Sequence, residues 1–140
     1  MIDIENQTDT IINQNALEII ADTITKKDID LILVDNQTIQ DYNYQYRDKN
    51  EPTDVLSFPI DDNMPHAPLG SIIISLEYAN NIAAKLAHSL DNEVSLLLIH
   101  GILHLLGYDH EIDNGEMREK EKEWIEYFKL PSSLITRNTL

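Results

Sequence analysis

The chain has 140 residues, 10 Lys and Arg against 25 Asp and Glu, a net charge of −15 and no cysteine. Without cysteine, disulfide scaffolds, thiolate metal sites and cysteine nucleophiles are excluded, so any metal has to be held by His, Asp or Glu. At 42% hydrophobic residues with 4 Gly and 5 Pro, the composition fits one globular domain with its own core, expected to span 1–140.

Ile2-Asp3-Ile4-Glu5 alternates as a short half-buried strand does. Over 14–26, Leu17, Ile20 and Ile24 fall at helical spacing. Residues 30–34 (DLILV) read as a buried strand. Residues 36–46 read as a short helix with Ile39, Tyr42 and Tyr46 on one side, and 48–52 as a polar loop. Residues 53–60 (TDVLSFPI) have strand composition and end at Pro59 and the acidic turn Asp61-Asp62-Asn63. Pro65 and Pro68 make the following connection irregular.

Residues 71–76 (SIIISL) form the next expected strand. From Glu77 the period turns helical, with Tyr78, Ile82, Leu86 and Leu90 stacking. Ser89, Asp91 and Asn92 offer N-cap chemistry for a helix over 91–106 that is apolar almost all round, hence central and buried. Gly107 stands where a helix C-terminal glycine is expected. A last helix opens near Asp113, with Glu116 placed as in a capping box. Its inner face is Met117, Trp124, Ile125 and Phe128; Glu116, Lys120 and Glu123 lace the outer face. Pro131 ends it, and the tail 132–140 is expected to be loose. Strands and helices mix without strict alternation, which predicts an α+β fold: a small mixed sheet packed with helices. The N-terminus lacks the basic and apolar segments of a signal peptide, and the apolar run 96–106 is interrupted by His100, Gly101 and His104. A soluble, cytoplasmic protein without a membrane partner is expected.

His100 and His104 stand four residues apart on the apolar helix, so their rings project from one face one turn apart. Gly107 tolerates positive φ and lets the chain turn to bring His110 back as a third ligand. A single histidine on such a helix usually belongs to the core. Three at this spacing, on a helix otherwise stripped of polar groups, predict a metal site. Three neutral imidazoles leave a divalent ion its charge and an open position, the layout of a catalytic site, with one zinc ion per chain as the default and nickel or copper able to take its place in a purified sample. The spacing H-x3-H-x2-G-x2-H matches that of metzincin metalloproteases. Those enzymes place a glutamate base directly after the first histidine; here that residue is Gly101.

HGILHLLGYDH resembles the signature of the YbeY family of bacterial metal-dependent endoribonucleases. Tyr46-Arg47, TDVLSFP over 53–59, Leu69-Gly70, His88-Ser89, and Met117 with Glu121 agree with it, over roughly residues 28–128. The resemblance implies an α+β fold and a metal at the three histidines. It also implies cleavage of single-stranded RNA, maturation of the 16S ribosomal RNA 3′ end and a role in ribosome quality control. The implied partners are the small ribosomal subunit and its assembly factors, and not DNA. The family's functional arginine maps to Arg47. Ser71 stands where the family commonly has an acid.

Read from the residues, Arg47 suits a phosphate ligand, against a surface salt bridge to Asp48, Glu51 or Asp54. The run Tyr42, Tyr44 and Tyr46 could stack bases, but Tyr42 and Tyr46 suit helix-face packing better. His88 reads as a histidine near a helix end in preference to one near the metal site, and Asp109 as a turn cap, a partner orienting a ligand imidazole, or a base. The charge of −15 speaks against strong binding of free RNA. It favours a second reading, a ribosome assembly factor with a structural metal, while the histidine spacing leaves a third, a metal-dependent hydrolase of another substrate, peptides included.

Overall fold

The strand-forming runs pair into one four-stranded sheet of order β1-β2-β4-β3. The computed structural model describes residues 1–60 and 64–132. In chain order the elements are β1 (Ile2–Asn6), α1 (Gln14–Ile24), β2 (Ile29–Val34), α2 (Asn36–Arg47), β3 (Val55–Pro59), β4 (Gly70–Ser75), α3 (Leu76–Lys85), α4 (Leu90–Leu105) and α5 (Glu116–Tyr127). β1, β2 and β4 run parallel, and β3 pairs antiparallel with β4, Val55 opposite Ile74 and Pro59 opposite Gly70. The fold is therefore α+β with a mixed sheet, as expected. The acidic turn 61–63 and tail residues 133–140 lie outside the described residues.

The two faces of the sheet carry different cores. Leu31, Leu33, Ile72 and Ile74 join α1 and α4 in the main core, with Leu17, Ile20, Leu98, Ile99, Ile102 and Leu103. Val34, Leu56 and Ile73 meet Ile39 of α2 in a smaller one. The period-two alternation along β4 sends Ile72 and Ile74 one way and Ile73 the other. Helix α4 is buried over nearly its whole surface, which explains its all-round apolar sequence.

Helix ends follow side-chain chemistry. Asp35, Ser75 and Ser89 each accept a backbone N–H from three residues on, starting α2, α3 and α4. Leu76 is thus the first helical residue and not the last of a strand, and the buried stack on α3 is Leu76, Ala79 and Ala83. At the last helix, Asp113 accepts the N–H groups of Gly115 and Met117, while Glu116 accepts that of Asn114. The reciprocal capping box does not form. Gly115, at φ 106°, is the N-cap, and α5 begins three residues later than expected.

Strand β3 is a sheet edge. Ser75 N–H to Asp54 O and Ile60 N–H to Leu69 O bracket its ladder. The alternation of an antiparallel pair then turns Leu56 and Phe58 toward β4, and Val55 and Ser57 toward the free edge.

Candidate metal centre

Helix α4 ends in two bonds that turn the chain. Tyr108 N–H reaches Leu103 O at 3.0 Å and Gly107 N–H reaches His104 O at 3.0 Å, the pattern of a Schellman motif. Gly107 sits at φ 103°, a conformation that side chains rarely adopt. Tyr108 packs against the main core. The turn brings His110 back over the helix end, its ring centroid 5.5 Å from that of His100 and 5.6 Å from that of His104.

One ring nitrogen from each of His100, His104 and His110 lies within 4.8 Å of the others, the only such cluster among the described residues. His100 and His104 are half-buried and His110 is exposed. The Nε2 atoms of His100 and His104 stand 3.1 Å apart. Nitrogen ligands about 2.1 Å from one ion at tetrahedral angles lie about 3.4 Å from each other, so the donor set and its spacing fit a divalent transition metal. Burial, then the nearby His100 and His110, lower the pKa of His104 and favour its neutral, metal-ligating form. On the far side of His100, Nδ1 meets Oε1 of Glu121, a residue of α5 that is 1% exposed.

Arg47 closes the other side. Asp48, at φ 57°, ends α2 directly after it, and Asn43 fixes the following loop through a 2.9 Å bond to Glu51 O. The exposed Arg47 donates Nη2 to Ser57 O at 3.3 Å across the free edge of β3. No ion pair ties it to Asp48 or Glu51. Arg47 and the three histidines line one cleft of about 570 Å³, together with Asp54, Ser57, Asp109 and Glu111 among others. Three carboxylates and one guanidinium thus surround the imidazoles.

The remaining candidates sort by position. His88 is outside the cluster: its Nε2 pairs with the buried Glu93 at 2.8 Å. Asp109 lines the cleft and caps its own turn, accepting Glu111 N–H at 3.0 Å. Ser71 sits on β4 opposite Phe58, next to Asp30, and does not line this cleft. Tyr46 rests its ring against Phe58 and Tyr42 yet stays 59% exposed, so it is no core residue. Sequence reasoning gave Glu121 no role of its own and passed over Asn43, because both are polar residues in polar stretches.

Fold and site together describe an α+β protein with an open three-histidine centre at the mouth of a buried helix. The family described as Endoribonuclease YbeY matches residues 2–129. The chain belongs to that family. An Endoribonuclease YbeY from Nautilia profundicola is 54% identical over 138 residues, covering 99% of both chains. One from Aliarcobacter butzleri is 56% identical over 140 residues, covering 99% of this chain and 100% of the other. The solution structure of TM1509 from Thermotoga maritima superposes with a TM-score of 0.64 at 31% identity, covering 91% of this chain and 89% of that one. No helix among the described residues is long and apolar enough to cross a membrane.

Proposed function

We propose that the chain is a cytoplasmic, zinc-dependent endoribonuclease that cleaves single-stranded RNA, acting as one domain in 16S ribosomal RNA 3′ end maturation and ribosome quality control. The observation that carries this reading is the single cleft shared by His100, His104, His110 and Arg47, in a chain whose relatives bear the name endoribonuclease. The three histidines would hold the metal, which when bound supplies positive charge to polarise a phosphoryl oxygen and acidify water. Arg47 grips the phosphodiester through its planar fork and offsets charge building on phosphorus. The walls formed by α4, β3 and the 107–111 turn orient the strand.

The acidic lining gives the assembly-factor reading its one specific support. A structural metal, however, takes a closed set of four ligands, and the cluster contains three. The peptidase reading needs a carboxylate after His100, where Gly101 stands.

The test compares zinc-loaded wild type with His104→Ala on two substrates: a naked 16S RNA 3′ segment and the same segment within an immature small subunit. Cleavage by wild type alone, faster on the particle, is the expected result. An acidic protein holds bare RNA weakly, and presentation replaces affinity by effective concentration. Cleavage that persists in His104→Ala would overturn the metal mechanism, and equal rates on both substrates would overturn presentation by the ribosomal particle.

A further inference from the structure

Glu121 is a carboxylic acid at 1% exposure on a helix whose other carboxylates are solvated. Burial of that kind is costly without a partner. The partner is His100, 21 residues away in sequence and on another helix: Oε1 meets His100 Nδ1, and Oε2 has no partner among the described groups. Met117 and Ile125, one turn to either side on α5, are buried as well, so packing fixes the carboxyl group in place.

We infer that Glu121 is a positioning residue for the metal centre, acting through His100. The inference rests on the metal-binding reading of the three histidines. A carboxyl group accepting from Nδ1–H leaves the other ring nitrogen, Nε2, with its lone pair free. Nε2 is the atom that stands 3.1 Å from Nε2 of His104. Glu121 therefore sets the tautomer that ligation requires and stops the ring from rotating about its own axis. His104 and His110 make no comparable bond to a buried carboxyl group among the described residues. The device is supplied from α5, beyond the HGILHLLGYDH stretch that carries the three ligands.

The test titrates Zn(II) into metal-free wild type, Glu121→Gln and His100→Ala/His104→Ala, with a competing chelator and a melting curve for each apo-protein. In parallel, the ring nitrogens of His100 in metal-free wild type are read by NMR. The amide of Glu121→Gln is the conservative replacement. It is expected to melt near wild type without metal and to bind Zn(II) about 10–100-fold more weakly. His100 is expected to carry its proton on Nδ1. Wild-type affinity in Glu121→Gln would overturn the role of Glu121 while leaving the metal site standing. Binding that survives in the double histidine variant would instead overturn the metal site. A His100 protonated on Nε2 in wild type would reject the positioning role even if Glu121→Gln failed to fold.

Discussion

Gly101 and Ile72 pack against each other more closely than a methyl group and a side chain ordinarily do. A Cβ on residue 101 would stand 3.0 Å from both Cδ1 and Cγ2 of Ile72, which is itself fully buried. Helix α4 lies this close to β4 directly beside His100, the first histidine of the candidate metal centre. A glutamate there would press on Ile72 as well as change the chemistry toward that of metalloproteases. Overpacking a tight core costs about 1–3 kcal/mol, and removing a glycine from a helix returns about 1. Gly101→Ala is expected to lower the urea midpoint, and Gly101→Glu to lower it further without creating peptidase activity. A midpoint at or above wild type in Gly101→Ala would refute the close contact.

The cap of α2 gives a stability effect with a defined pH window. Asp35 accepts Thr38 N–H at 2.8 Å, and that bond, followed by one to the Thr38 hydroxyl, holds its carboxyl below the usual carboxylate range. A depressed folded pKa contributes stability above the unfolded value of about 3.9, and this is lost as pH falls through the folded value. Asp35→Ala should cost about 1 kcal/mol at pH 7. The part of that difference owed to the carboxylate's charge should be lost as the pH falls below ~3.9 through the lowered folded value. Denaturant melts at pH 7 and at successively lower pH check both parts.

Metal removal should loosen the end of α4. His110 lies beyond the Gly107 turn, so a shared ion would clip helix and turn together. An ion at 100 times its dissociation constant stabilises the folded state by about 2.7 kcal/mol. A chelator should therefore lower the melting temperature of wild type and leave that of His100→Ala/His104→Ala unchanged.

Arg47 is exposed, and its side chain makes one hydrogen bond among the described residues, to Ser57 O. Arg47→Ala is expected to keep zinc content and melting temperature close to wild type and to lower turnover on single-stranded RNA about 100-fold. Arg47→Lys should restore little, because an ammonium cannot reproduce the planar two-point grip. Full activity in Arg47→Ala would remove this residue from the site.

Charge in the cleft makes a further outcome measurable before any bond is cut. Without a cation, Arg47 faces Asp54, Asp109 and Glu111, and RNA phosphates meet net repulsion. A divalent ion at the histidines would reverse that local balance. Fluorescence anisotropy should show single-stranded RNA binding weaken by about tenfold or more on metal removal. Unchanged affinity would place the RNA elsewhere on the surface.

The long apolar helix, the histidine spacing and the glycine turn were legible because each is a local pattern: all-round burial, a four-residue repeat and a residue that accepts positive φ. The sheet order was not. β3 precedes β4 in the chain but lies outside it at the edge, an arrangement set by contacts distant in sequence. Glu121 was hidden for a related reason. In the run EMREKEKEW it is one acid among several, and its burial comes only from the way α5 docks on α4. Tyr46 follows the helical spacing: its ring stacks on Tyr42 and meets Phe58 edge-on, although 59% of the residue stays exposed.

An uncovered sheet edge invites another chain to add a strand. Along β3, Val55 N–H is taken by Asp54 Oδ1, Ser57 carbonyl oxygen by Arg47, and Pro59 has no N–H to offer. Three edge-facing positions are thus withdrawn as a template for self-association. The guanidinium proposed to hold the phosphodiester is also part of this blunting. An arginine drawn away onto RNA would uncover the Ser57 carbonyl oxygen, and Arg47→Ala would uncover it permanently, so the same side chain would serve both the proposed RNA groove and the protection of the edge.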